Sequence, residues 1–158
     1  MGRKRIGIAD TMFAKGDMGA LAIKTVRESG KDVEIVRVTV PGIKDLPVAS
    51  KKLIEEKKCD IVLAFGMVGK AKIDETCGHE ASLALIQAEL LTNRHILKVF
   101  IHEREALNNQ KKLVSIMRDR TIKHAKNALD MLFNPASLTK RAGTAQRQGS
   151  KNGVFYNL

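Results

Sequence analysis

The sequence predicts an α/β domain of three layers: a four-stranded parallel sheet in the order 2-1-3-4 with helices on both faces. Three observations carry this. Strand and helix patterns alternate four times along the chain. Residues 61–65, I-V-L-A-F, have no polar face, as in a strand covered on both sides. The strands expected at 33–40 and 96–102 contain polar members (Glu34, Arg37 and Lys98), which suits sheet edges and leaves the first and third strands central. Such a layout is flavodoxin-like and doubly wound.

Residues 5–10, R-I-G-I-A-D, form a short apolar strand. A glycine-containing loop follows, and Asp17 is placed to cap a helix that ends near Gly30. The β-branched segment 33–40 is broken by Pro41-Gly42. Asp45 then caps a helix with Pro47 in its first turn, where a missing N–H costs nothing, and Leu46, Ala49 and Leu53 give it one apolar face. The buried strand comes next, followed by a two-glycine loop over 66–73 and a helix from about Asp74 to Leu91.

Two apolar stripes run along that helix: Ala81, Ala84, Leu85, Ala88 and Leu91 on one side, Leu83, Ile86 and Leu90 on another. One sheet covers only the first. The second calls for a subunit partner or, alternatively, for cover by the long C-terminal helix. That helix is expected to run to Phe133 with a break near residues 118–121, and Asn134-Pro135 stops it. The folded domain is thus expected over residues 1–135, with a polar, basic, flexible tail over 136–158.

The 158 residues are 44% apolar, enough for one core without staples. Lys and Arg number 28 against 17 acids, a formal charge of +11, much of it late in the chain. That balance permits binding to phosphates, so a nucleic-acid-binding module stands as an alternative function class. The absence of Trp and the single Tyr argue against a base-stacking platform. Cys59 and Cys77 lie far apart and outside any C-x-x-C pattern, which argues against a disulfide framework or a Cys-built zinc site and fits a reducing, cytoplasmic setting. Nothing resembles a signal peptide, and no stretch approaches the ~20 apolar residues that span a bilayer.

Ligands of open parallel sheets bind beyond the carboxyl ends of the strands, beside the switch in strand order. Four pieces of chain are expected to meet there: residues 10–13, 40–45, 66–70 and 102–104. Phe13 offers a flat apolar face for a heteroaromatic ring, or packs in the core. Gly42, Gly66 and Gly69 allow close approach of backbone to a ligand, or make tight turns. Lys44 and Asp45 can hold hydroxyls, although Asp45 equally serves as a plain helix cap. Backbone groups around Met67, Val68 and Gly69 can read a pyrimidine edge by paired donor and acceptor bonds. G-x-G-x-x-G, G-x-x-x-x-G-K-[ST] and G-x-S-x-G are all missing, which disfavours nicotinamide, ATP and serine-nucleophile enzymes. Asp74, Glu75, His79 and Glu80 lack H-E-x-x-H spacing and read as solvated helix charges rather than a metal site.

Residues 40–53, V-P-G-I-K-D-L-P-V-A-S-K-K-L, resemble the V-P-G-A-F-E-I-P-x-A-x-K-K stretch of lumazine synthases. Residues 58–68, K-C-D-I-V-L-A-F-G-M-V, are similar to their K-x-D-A-I-I-x-L-G-x-V, and residues 6–13, I-G-I-A-D-T-M-F, to their I-x-I-V-x-x-R-F. The likeness covers about residues 5–105. The opening I-A-D-T-M-F-A-K-G-D-M-G and the later F-G-M-V-G-K-A-K resemble the archaeal riboflavin synthases, which share that ancestry. The departures point the same way. The catalytic T-T-H of lumazine synthases has no counterpart in the shorter stretch 70–75, their glutamate is replaced by Asp45 and a neighbouring aromatic by Lys44. Their phosphate site near the last helix is not clearly preserved, though Lys111 and Lys112 lie nearby.

The resemblance implies a dismutation. Two molecules of 6,7-dimethyl-8-ribityllumazine react, one giving a four-carbon unit to the other, to yield riboflavin and 5-amino-6-ribitylamino-pyrimidinedione. It implies no redox cofactor, a divalent metal such as magnesium, and a homopentamer with sites between neighbouring subunits; no membrane and no specific nucleic acid are expected as partners. On this reading Phe13 stacks on a ring, Met12 walls the pocket and Thr11 bonds a ring heteroatom. Gly66, Met67, Val68 and Gly69 hold a pyrimidinedione edge, and Gly42, Ile43, Lys44 and Asp45 hold a ribityl chain. Asp74, Glu75 and His102 are the candidates for proton transfer, and Lys70 for stabilising developing negative charge. A lumazine synthase is the nearer alternative.

Overall fold

The apolar run at the middle of the chain becomes the middle of the sheet. In the computed structural model, which describes residues 2–157, the strands β1 (Lys4–Thr11), β2 (Val33–Val40), β3 (Ile61–Val68) and β4 (Ile96–His102) are parallel and bonded in the order β2-β1-β3-β4. All eight residues of β3 are buried. The polar strands lie outside, as expected: Arg5 and Glu34 pair across β1 and β2 at 2.7 Å, and Lys98 of β4 pairs with Glu89 of the neighbouring helix.

Helices α1 (Met18–Glu28) and α4 (Gln110–Phe133) cover one face, packing on Ile6, Ile8, Leu63, Phe65, Val99 and Ile101. Helices α2 (Leu46–Glu55) and α3 (Lys72–Thr92) cover the other, packing on Ala9, Val62, Ala64 and Phe100. Asp17 caps α1 by accepting the Ala20 N–H at 2.8 Å, and that bond holds its carboxyl below the usual carboxylate range. A short helix α5 (Pro135–Lys140) follows α4.

Four expectations are corrected. Gly66, Met67 and Val68 belong to β3 rather than to a loop, since the ladder to β4 continues through Phe100, Ile101 and His102. A Cβ at Gly66 would lie 2.9 Å from Ile43 Cδ1 and from Phe100 Cε1, so this glycine admits close packing instead of making a turn. Helix α4 is unbroken through residues 118–121, because Met117, Thr121, Ala125 and Ala128 keep one buried face at helical spacing. The carboxylate of Asp45 does not cap α2; it accepts the Gly42 N–H at 3.1 Å. Leu91 is 73% exposed: the buried stripe Ala81, Leu85, Ala88 continues at the half-buried Thr92, the position a 3.6-residue period reaches. Leu83, Ile86 and Leu90 are exposed as expected, and α4 lies on the opposite face of the sheet, too far round to cover them.

His124 sits inside α4 with its Nδ1 2.8 Å from the Arg120 carbonyl oxygen, and burial pushes its pKa below the ordinary 6.5. The unfolded chain therefore takes up this proton at a higher pH than the folded one. Stability from this group is complete above about pH 6.5 and falls as pH drops through the window below it. Thermal melts from about pH 7.5 down to about pH 5.5 are expected to fall for the parent chain and to flatten in His124→Gln.

Candidate functional site

The parallel ladder brings the four expected pieces of chain to one rim. Beyond β1 the chain bends at Met12, whose N–H donates to the Val40 carbonyl at 2.9 Å, so the end of β1 is tied to the end of β2. Met12 and Phe13 are then left 74% and 55% exposed. Core packing does not account for Phe13. Residues Ile43–Asp45 form a 3-10 turn after β2, and Lys44 pairs with Glu80 of α3 at 2.6 Å, the contact that raises the Lys44 pKa. Met67 and Val68 end β3, and both they and the following Gly69 are buried.

The ionisable candidates lie on the β3–β4 side. Val68 is in register with His102, which brings the ends of the two strands together. Asp74 is taken up by accepting the Ala71 N–H at 3.0 Å, and Glu75 by Arg104 at 2.9 Å. Lys70 donates to Asn108 at 2.6 Å, and its carbonyl accepts from Arg104 Nε at 3.0 Å. The half-buried His102 ring makes no hydrogen bond among the described residues. Of the three proton-transfer candidates, Asp74 and Glu75 have partners and the His102 ring has none among the described residues.

Thr11 is 7% exposed, and its hydroxyl has no hydrogen-bond partner among the described residues. Ser50 and Thr121 share that condition, but Thr11 alone of the three lies at the end of a strand, at the rim. An unpaired buried hydroxyl costs about 1–3 kcal/mol, which a ligand heteroatom would relieve.

Two groups of residues were not assigned roles from sequence. Lys15 Nζ reaches the buried Glu103 at 2.5 Å, and the Lys15 N–H points at Met67 Sδ at 3.3 Å, so the loop bearing Phe13 is fastened to β3 and to the turn after β4. The buried Asp10 accepts from Arg37 Nε at 2.9 Å and from Thr39 at 2.6 Å, while Arg37 also reaches Asp17 at 2.6 Å. Sequence placed Asp10 and Glu103 at the rim, and the signal for their pairing was a lone acid at the end of an apolar strand with a basic residue in the facing element. Cavities of about 300 Å³ and about 270 Å³ flank this loop, the first beside Asp10, Thr11 and Phe65, the second between Lys15, Lys70 and the start of α4. Neither includes Phe13 or Gly42–Asp45 in its walls, so one chain presents those residues on an open rim.

Among the described residues no three His, Cys, Asp or Glu gather as a metal-ligand set.

Residues 3–135 match the family described as 6,7-dimethyl-8-ribityllumazine synthase. The chain is 50% identical over 145 residues to the riboflavin synthase of Methanothermobacter marburgensis, covering 92% of this chain and 94% of that one. It is 47% identical to the riboflavin synthase of Archaeoglobus fulgidus with the same coverage. Similarity to the 6,7-dimethyl-8-ribityllumazine synthase of Nitrosomonas europaea is 36% over 67 residues, covering 40% of this chain and 41% of that one.

Proposed function

The chain belongs to the 6,7-dimethyl-8-ribityllumazine synthase family, and we propose that within it the chain is a riboflavin synthase, dismutating two molecules of 6,7-dimethyl-8-ribityllumazine. The observation that carries this is the extent and closeness of likeness: riboflavin synthases align over 92% of the chain at 47% and 50% identity, lumazine synthases over 40% and 58% at 36% and 31%. The missing T-T-H histidine between residues 70 and 75 accords with it.

The substrate's ring methyl is already acidic, because its anion delocalises over the heterocycle. The protein's work is then chiefly alignment: two rings held face to face gain a high effective molarity. Phe13 stacks on one ring, Met12 walls it, and Thr11 bonds a ring heteroatom. Backbone groups from Gly66 to Gly69 hold a pyrimidinedione edge, and Gly42–Asp45 hold a ribityl chain. His102 moves the proton, being the candidate not already engaged; Asp74 and Glu75 hold the start of α3 and Arg104. Lys70 faces the developing negative charge.

The exposed Leu83, Ile86, Leu90 and Leu91 on α3, and the open rim at Phe13, support a homo-oligomer, a pentamer, whose neighbour closes the site. Two free cysteines, together with no helix among the described residues long and apolar enough to cross a membrane, support a cytoplasmic enzyme.

Incubating the purified chain with 6,7-dimethyl-8-ribityllumazine alone is expected to give riboflavin, followed by its absorbance and fluorescence. Product only from butanone phosphate plus the pyrimidinedione, with none from the lumazine, would make it a lumazine synthase instead.

A further inference from the structure

The segment after α5 folds back along α4 and is held by three of its side chains. Asn127 Nδ2 donates to Gln148 at 3.3 Å, Lys123 Nζ to the Ser150 carbonyl at 3.3 Å, and Arg120 Nε to the Gly149 carbonyl at 3.1 Å. Residues 120, 123 and 127 share one helix face. The segment is closed on itself by Gly153 N–H to the Ala145 carbonyl at 2.8 Å and Arg147 N–H to Asn152 at 3.3 Å. At its buried tip Gly149 has φ +73°, and a Cβ there would lie 2.4 Å from Arg120 Cγ.

Arg120 serves three elements at once. Besides Gly149, its Nη1 donates to the Phe100 carbonyl of β4 at 2.8 Å and to Glu105 Oε1 at 2.8 Å, and its Nη2 to Glu105 Oε2 at 2.6 Å. Its side chain is only 15% exposed. Glu105 Oε1 in turn accepts the His102 N–H at 3.2 Å, and the Arg120 guanidinium holds the Glu105 carboxyl below its ordinary range. The path from the C-terminal loop to the rim is therefore continuous: Gly149, Arg120, Glu105, His102. Only a planar fork with five donors can satisfy these acceptors together; a lysine would satisfy one or two.

We propose that Arg120 is a positioning residue through which the C-terminal loop 144–153 fixes the 3-10 turn Glu103–Ala106 and, with it, His102 at the reaction rim. Its kinetic consequence rests on the riboflavin synthase reading; its structural consequence does not. Gly149→Val in the full chain drives the loop tip off Arg120, whose side chain the added Cβ would otherwise meet, while leaving both Arg120 and Glu105 in the sequence, and Arg120→Lys keeps the charge while losing the fork. Each is expected to lower kcat for lumazine dismutation about tenfold with KM nearly unchanged, since misplacing a reacting group lowers kcat more than it weakens binding. The double variant is expected to be no worse than Arg120→Lys alone, because both act on one chain of contacts. Losses that multiply in the double variant, or an unchanged kcat in Gly149→Val, overturn the proposal. Hydrogen exchange of the peptide containing residues 102–106 is read alongside. It is expected to quicken about tenfold in Gly149→Val, and unchanged protection overturns the clamp whether or not the parent chain makes riboflavin.

Discussion

Phe13→Ala is expected to lower kcat/KM for the lumazine dismutation by ~10- to 100-fold while leaving the fold intact. The ring is 55% exposed in the chain, so its removal uncovers little buried surface, and its effect on stability should stay within about 0.5 kcal/mol. Its contribution is made only when a flat ring lies against it. Stacking of a base-like heterocycle on an aromatic side chain is worth about 1–3 kcal/mol, and each ~1.4 kcal/mol is a factor of ten in rate. The loop that carries it stays fastened in the variant, through Lys15 to Glu103 and through Met12 to Val40. A lost stack is therefore separable from a lost loop. Steady-state kinetics with a parallel thermal melt checks this: parental kinetics would remove Phe13 from the site, and a melt lowered by more than a few degrees would reassign it to the fold.

The opposite profile is expected of Phe65→Ala. Phe65 is fully buried in the central strand, among Ile8, Met18, Met67, Val99 and Ile101. Truncating a core phenylalanine removes transfer energy and leaves a cavity, together about 3–5 kcal/mol. For a chain of this length that corresponds to a melting temperature lower by ~10–15 °C. Phe65 also lines the cavity of about 300 Å³ under the loop after β1, so the void joins existing empty space and does not collapse easily. Phe155→Ala is the matched control: that ring is 58% exposed, and its loss should move the melt by no more than about 0.5 kcal/mol in free energy. Chemical denaturation of the three chains distinguishes them.

The strand order was legible because burial leaves a mark in composition: an all-apolar run cannot face water, and Lys98 or Arg37 cannot sit in the middle of a sheet. Where β3 stops was less legible. Gly66 reads as a loop residue by local preference, and only the approach of Ile43 and Phe100, distant in sequence, makes it a strand residue. The same holds for α4, where a break is expected near residues 118–121 but burial of Met117, Thr121 and Ala125 on one face keeps the helix continuous. At the site, sequence identified which segments meet, because a parallel sheet sends all four strand ends to one side. It did not show which side chains pair across the rim. Glu75 with Arg104 and Lys15 with Glu103 are contacts between elements remote in the chain, and Arg120 with Glu105 joins α4 to the turn before it. Which of Asp74, Glu75 and His102 already has a partner is therefore not written in the local sequence.

The buried end of β3 has a consequence for how this enzyme can be dissected. If recognition at Met67, Val68 and Gly69 runs through amide and carbonyl groups, an alanine scan will pass over it in silence, since every L-residue offers the same peptide. Replacing the Val68 amide by an ester, which deletes a donor and leaves the side chain, is the substitution to which that stretch would answer. A lineage drifting under selection for this reaction could likewise exchange side chains there freely, so long as the packing held.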